Sequence, residues 1–265
     1  MKYLVSYAYF ERGEDPADEV DSFNNFKFFV YRGILDREDE DYVIVEKGGK
    51  ITVPLPNYKN VQVIKQSPEG RDFAGYAHAL ENVDINKYDK FIFLNDTCCG
   101  PFLPRYISKD ANWAELFSSR LSDKVKLVGP TRNETAWREP APHIQSYAFA
   151  TDKVGLKLLI EKEIFIIKNG QEHYHTFFSK QGRTEFIRRF EVGMSKVIME
   201  QGYGIEPLVL CDLKGLNSGA TYGDNQYHGI THNPLETIFI KSNLHHRRQE
   251  FRNTVVQKYR EWMSN

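Results

Sequence analysis

Lys90-Phe91-Ile92-Phe93-Leu94-Asn95-Asp96-Thr97-Cys98-Cys99-Gly100-Pro101-Phe102 is the stretch on which the reading of this chain turns. Four apolar residues, Phe91 to Leu94, form a run of the length of a buried strand, and the run stops at a polar turn closed by Gly-Pro. In open α/β sheets ligands bind outside the carboxyl ends of the strands, so this turn is a candidate binding rim. Asp96 offers it a carboxylate able to take a divalent cation through oxygen. The plainer alternative is an Asx-turn, with Asn95 or Asp96 bonding the backbone of its own loop.

Upstream of the turn, Lys2 to Phe10 reads as a strand, Asn24 to Leu35 as an amphipathic helix, and Asp41 to Val45 and Val61 to Lys65 as further strands. Phe73, Tyr76, Ala77 and Leu80 recur at helical spacing behind Asp72, which reads as an N-cap. Downstream, Trp113 to Leu121 is expected to be helical and Val125 to Val128 a strand. Ile144 to Ala150 reads as one strand, followed by a helix from Asp152 to Ile160 capped by Asp152 or Thr151. A long helix is expected over Thr184 to Gln201 and a strand near Ile205 to Leu210. A Gly/Asn-rich loop from Gly215 to Gly229 and a basic helix from Arg247 to Trp262 complete the chain. Alternating strands and helices make the fold α/β, a mainly parallel sheet flanked by helices. No repeat or linker divides residues 1–265, which read as a single domain.

Composition narrows the function classes. Lys plus Arg number 35 against 36 Asp plus Glu, a formal net charge of -1, so no global field favours nucleic acid or an anionic membrane. The chain is 14% aromatic, which fits a packed globule. Cys98, Cys99 and Cys211 lack Cys-x-x-Cys spacing, and the adjacent pair suits neither an ordinary disulfide nor a zinc knuckle. The apolar opening from Tyr3 to Phe10 is too short to span a membrane and runs into the acidic stretch from Glu11 to Asp21, unlike a signal peptide. These features suit a soluble cytoplasmic protein. Walker, Gly-x-Ser-x-Gly, Gly-x-Gly-x-x-Gly and His-Glu-x-x-His motifs are missing from the sequence.

The segment from Lys90 to Phe102 resembles the signature of glycosyltransferases related to rhamnan and lipopolysaccharide biosynthesis proteins, found in bacteria, algae and large algal viruses. Four further segments resemble that group in the same order: Glu69 to Tyr76, Lys126 to Thr131, His143 to Phe149, and Phe190 to Ser195. The resemblance spans about Tyr58 to Leu210. It implies a GT-A-like, Rossmann-related fold with a donor half over about 1–130 and an acceptor half over about 131–265. It also implies a UDP- or dTDP-linked sugar donor and a glycan acceptor, and a host-cytoplasm setting if the chain is viral. GT-A enzymes usually carry Asp-x-Asp at this turn, where this chain has Asn95-Asp96-Thr97 with one carboxylate. The resemblance implies Mn²⁺ or Mg²⁺ held by Asp96, diphosphate oxygens, water and a C-terminal histidine, for which His232 and His228 are candidates.

The other candidate residues follow from their positions. Arg71 and Asp72 stand at a helix start, where a cation and free N–H groups meet phosphate, or where Asp72 holds a ribose or base. Asn95, Asp96 and Thr97 complete the donor side, and Lys241 adds a point charge for the diphosphate. Glu191 falls within the apolar stripe of its helix, so its carboxylate reads as the base that deprotonates an acceptor hydroxyl, as a group that binds the acceptor's hydroxyls, or as a buried partner of Arg188, Arg189 or another distant base. His143 and Gln145 are expected on one face of a strand, either lining an acceptor cleft with Tyr147 or forming the ordinary polar face of an edge strand. Phe73, Tyr76 and Phe102 lie in segments bordering that cleft. Arg247, Arg248 and Arg252 read as a solvated helix face. The leading function is transfer of a sugar from a nucleoside diphosphate sugar to a glycan hydroxyl. The competing class is a non-catalytic nucleotide- or carbohydrate-binding module whose metal motif has degenerated.

Overall fold

A computed structural model describes residues 1–11, 21–68, 70–108, 111–137, 139–167, 174, 180–209, 221–222, 226–227, 230–231, 233–241, 258, 260, 261 and 263. Strand β1 (Tyr3–Tyr9) is followed by helix α1 (Ser22–Arg32), β2 (Glu40–Lys47), β3 (Val61–Gln66), α2 (Arg71–Glu81) and β4 (Lys90–Asn95). Then come the short β5 (Cys98–Cys99), α3 (Trp113–Phe117), β6 (Val125–Gly129), a hairpin of β7 (Arg132–Ala136) and β8 (Glu139–Ile144), β9 (Ala148–Asp152) and α4 (Lys153–Glu161). Seven strands make the main sheet in the order β3-β2-β1-β4-β9-β6-β10, where β10 is Gly204–Pro207. Every neighbouring pair in it is parallel except the two that β9 makes.

The sequence alternates because helices cover both faces of this sheet. Leu4 and Ala8 of β1 and Phe91 and Phe93 of β4 point to the face carrying α2 and α4. Tyr7, Tyr9, Ile92 and Leu94 point to the face carrying α1 and α3. Strands buried on both sides read as continuous apolar runs, which is why β1 and β4 were legible. Phe93 is fully buried, with its ring 5.0 Å from Phe149 and 4.9 Å from Phe165. Phe93→Ala is expected to cost about 3–5 kcal/mol, seen as a lower urea midpoint with an unchanged denaturant slope.

Several expected elements differ. Ile144 to Ala150 is not one strand: β8 ends at Ile144, Gln145-Ser146-Tyr147 turns, and β9 begins at Ala148. Neighbours use the backbone at this turn, Tyr76 Oη donating to the Ser146 carbonyl at 3.1 Å and the Asn95 N–H to the Tyr147 carbonyl at 3.1 Å. The β7–β8 hairpin was not expected, because Pro140 and Pro142 argue against a strand and mark an edge one here. Trp113 to Leu121 shortens to α3, which ends where the Ser118 hydroxyl donates to the Ala114 carbonyl. Asp152, rather than Thr151, caps α4, accepting from the Gly155 N–H at 2.9 Å.

The long helix expected over Thr184 to Gln201 is present, but it is α5 (Lys180–Phe186), a π-helical turn (Ile187–Val192) and α6 (Gly193–Glu200) end to end. Within Gly215 to Gly229, β11 (Thr221–Tyr222) and β12 (Gln226–Tyr227) join β13 (Ile230–Thr231) in a small antiparallel sheet in place of the expected loop. The chain then forms α7 (Pro234–Thr237) and β14 (Ile240–Lys241). Arg247, Arg248 and Arg252 lie outside the described residues. Lys258, Arg260, Glu261 and Met263 are helical, and Arg260 pairs with Asp21 at 2.7 Å, next to the start of α1.

Candidate active site

β1 has β2 on one side and β4 on the other, and the helices next to these strands lie on opposite faces of the sheet. The carboxyl ends of β1 and β4 therefore border the crevice that a doubly wound sheet opens at its switch point. Asn95 and Asp96 reach this rim from β4, Lys47 from β2, and Arg71 and Asp72 from the start of α2. β14 pairs antiparallel with β5, setting Lys241 opposite Cys98.

Asn95, not Asp96, makes the Asx-turn. Its side-chain oxygen accepts from the Thr97 N–H at 3.0 Å and the Thr97 hydroxyl at 2.7 Å. Asn95 Nδ2 donates to Asp72 Oδ2 at 2.6 Å. Asp96 is 4% exposed, and its carbonyl accepts from Asn25 Nδ2 at 2.9 Å, which fixes the turn against α1.

Asp72 is not the N-cap. That position belongs to Gly70, whose φ of 78° lies in the left-handed region that glycine adopts without strain. Asp72 lies in the first helical turn, where its carboxylate is free to meet Asn95. Gly75 lets α2 lie close to β1, since a Cβ there would stand 3.0 Å from Ala8 Cβ. Arg71 has a φ of 51°, and its guanidinium lies 5.5 Å from the Phe186 ring centre. Burial, then the nearby Arg183, lowers the Arg71 pKa.

Lys47 is the residue sequence reasoning missed. It is 4% exposed, donates to the Arg71 carbonyl, and feels the carboxylates of Asp72 and Asp96. Burial outweighs both and pushes its pKa down to about 8. The signal was available: a lysine closing an apolar strand, just before Gly48-Gly49, at the edge of the crevice. The unfolded lysine titrates near its ordinary value, so between about pH 8 and that value the unfolded chain holds the extra proton and stability rises with pH. Relative to Lys47→Met, the wild type is expected to gain about 3 kcal/mol across that window, measured as the difference in urea unfolding free energy at its two ends.

Glu191 sits in the π-helical turn, half-buried. Burial raises its pKa, Lys241 opposes that, Asp72 adds to it, and a hydrogen bond from the Ser146 hydroxyl and the Arg71 charge oppose it further. The neighbouring arginines are turned elsewhere, Arg189 to Glu163 at 3.4 Å and Arg188 over the Trp137 ring. Glu191 thus faces the rim, with Arg71, Asp72 and Lys241 within electrostatic reach.

His143 and Gln145 do not share a strand face, since Gln145 lies in the turn. Asn133 of β7 joins them instead, 3.3 Å from His143 Nε2 and accepting from Gln145 Nε2 at 3.2 Å. His143 Nδ1 lies 2.7 Å from the Ala141 carbonyl, and burial lowers the His143 pKa. Tyr147 is core, with Lys241 Nζ 5.9 Å from its ring centre. Phe73, Tyr76 and Phe102 are fully buried too, so these four rings pack the fold and do not line a cleft. Burial raises both thiol pKa values, that of Cys99 up to about 12, which argues against a thiolate nucleophile.

A hard divalent cation needs oxygen ligands. Both lone pairs of the Asn95 side-chain oxygen are taken by Thr97, which leaves the carboxylates of Asp96 and Asp72. Mg²⁺ is commonly held by one or two carboxylates plus substrate phosphates and water, so this donor set fits a cation completed by a diphosphate. Among the described residues no group of three or more His, Cys, Asp or Glu side chains is placed to hold a metal without such help. His232 and His228 lie outside the described residues.

The family model for rhamnan synthesis protein F matches residues 55–242, most of the chain and all of this rim except the end of β2 and its neighbours upstream. The chain belongs to the rhamnan synthesis protein F family. No curated protein matches it in sequence. Among solved structures, this member of the family is similar to a glycosyltransferase involved in glycosylation of the major capsid of PBCV-1, at 10% identity over 97% of this chain and 100% of that one, with a TM-score of 0.41. It is also similar to the glycosyltransferase GlyE of Streptococcus pneumoniae TIGR4, at 12% identity over 99% of this chain and 63% of that one, with a TM-score of 0.45. A third similar structure is the 4-diphosphocytidyl-2C-methyl-D-erythritol synthase of Anaerococcus prevotii DSM 20548, at 12% identity over 67% and 82%, with a TM-score of 0.37. Among the described residues of this family member no helix is long and apolar enough to cross a membrane.

Proposed function

We propose that this protein is a glycosyltransferase that moves a sugar from a UDP- or dTDP-linked donor to a hydroxyl of a glycan. One observation carries the reading. Asp96, Lys47, Asp72 and Arg71 converge at the switch point of the sheet, with Glu191 and Lys241 facing them.

The acceptor oxygen bonds to the anomeric carbon as the bond from that carbon to the diphosphate breaks, and the electron pair of that bond leaves on the diphosphate. Lys47, Arg71 and Lys241 are the cations able to offset the charge that develops there. Glu191 takes the proton of the acceptor hydroxyl, and the Ser146 hydroxyl holds its carboxylate in position. A divalent cation held by Asp96 and Asp72, when bound, supplies further neutralisation of the diphosphate. Thr97 positions Asn95, and Asn95 positions Asp72. Around the acceptor, His143, Gln145 and Asn133 form one polar unit beside Lys241.

The second reading, a binding module without turnover, draws on the turn Asn95-Asp96-Thr97 carrying one carboxylate where GT-A enzymes usually have two. Release of nucleoside diphosphate from UDP- and dTDP-sugars, with rhamnan oligosaccharides as acceptors and Mn²⁺ or EDTA present, separates the two. Release that slows on chelation is expected. Tight UDP binding with no release from any donor favours the module.

A further inference from the structure

The β7–β8 hairpin stands outside the seven-stranded sheet and carries Trp137 at its tip. Of the two described tryptophans, Trp113 is core and Trp137 is 47% exposed. The Trp137 backbone has a φ of 50°, a conformation uncommon for a bulky residue, so the hairpin presents this ring at a local cost. The Arg188 guanidinium lies over the ring, 5.2 Å from its centre, and Arg188 belongs to the same π-helical turn as Glu191. At the other end of β8, His143 is tied through Asn133 to Gln145 and feels Lys241. Arg188 thus links the hairpin tip to the helical turn that carries Glu191, and β8 packs against that same turn.

Resting on the glycosyltransferase reading above, we propose that Trp137 is a stacking platform for a distal sugar of an extended oligosaccharide acceptor, whose reacting end lies at Glu191. The apolar face of a pyranose ring matches an indole, and the partly exposed polar side chains of β7, Asn133, Glu134 and Thr135 among them, suit its hydroxyls. A protein partner is less well served. A single ring beside Arg188 and the exposed Glu139 falls far short of the roughly 800 Å² per side that a stable interface needs. Strand β8 runs from Glu139, beside the tip, to Ile144, roughly 17 Å, which is the reach of an oligosaccharide and beyond that of one sugar ring.

The test uses the full chain and rhamnose oligosaccharides from the monosaccharide to the pentasaccharide, with binding read by calorimetry. Wild-type affinity is expected to rise with length beyond the disaccharide. Trp137→Ala is expected to lose that rise, with about tenfold weaker binding of the pentasaccharide and little change for the monosaccharide. Trp137→Phe keeps a ring and is expected to recover most of the difference. An unchanged unfolding midpoint and unchanged UDP affinity in both variants show that the fold and donor side are intact. Affinity independent of length in the wild type, no binding by any oligomer, or unaltered pentasaccharide binding by Trp137→Ala overturns the platform. Failure of the transferase reading appears separately, as absent nucleoside diphosphate release, and leaves the binding series to be read on its own.

Discussion

Asp96→Ala is expected to slow nucleoside diphosphate release by about 10²–10³-fold and to weaken UDP binding in the presence of Mn²⁺. The effect should be one of charge rather than of folding. Asn25 holds the Asp96 carbonyl and Asn95 builds the turn with Thr97, so the backbone keeps these anchors when the side chain is cut back. Asp96→Asn, which keeps the shape and removes the charge, should lose nearly as much activity as Asp96→Ala. Turnover and UDP affinity at wild-type levels in both variants would remove Asp96 from the site.

Glu191→Gln is expected to reduce turnover by about 10²–10⁴-fold and leave UDP affinity in place, because the lost group serves the acceptor hydroxyl. The pH profile carries the finer test. Burial raises the Glu191 pKa, and a base works only when ionised, so the rate should fall with decreasing pH along a limb above the ordinary carboxylate range. Lys241 and Arg71 pull that limb down, so Lys241→Met should move it to higher pH. Glu191→Gln should flatten it. A limb that survives unchanged in Glu191→Gln belongs to another group, and the assignment fails.

The centre of the sheet was legible in the sequence because strands such as β1 and β4 are buried on both sides. Their apolar runs stop where the chain reaches the rim, and the stop at Asn95-Asp96 marks the site. The β7–β8 hairpin was hidden because it is short, polar and carries two prolines, so neither periodicity nor propensity distinguishes it from a loop. The π-turn was hidden for a different reason. A helix with one wider turn keeps nearly the same apolar spacing, yet that turn sets where Glu191 points, and such turns are frequent at functional sites. Lys47 was passed over because a lysine at a strand end is usually solvated, and it is the approach of α2 that covers it. Which of Asn95 and Asp96 closes the turn lay beyond sequence too, since either side chain can make an Asx-turn.

The reversed strand β9 bears on how this protein can be altered. It lies between β4 and β6, so a strand from after residue 130 is wedged between two from before it. A cut near that point would leave β4 and β6 each with an open edge and strip the turn around Ser146 from the rim. The two halves are therefore interleaved and do not form exchangeable modules. On the transferase reading proposed above, changing the acceptor calls for grafting the hairpin and the turn onto an intact sheet, not for swapping a carboxyl-terminal half.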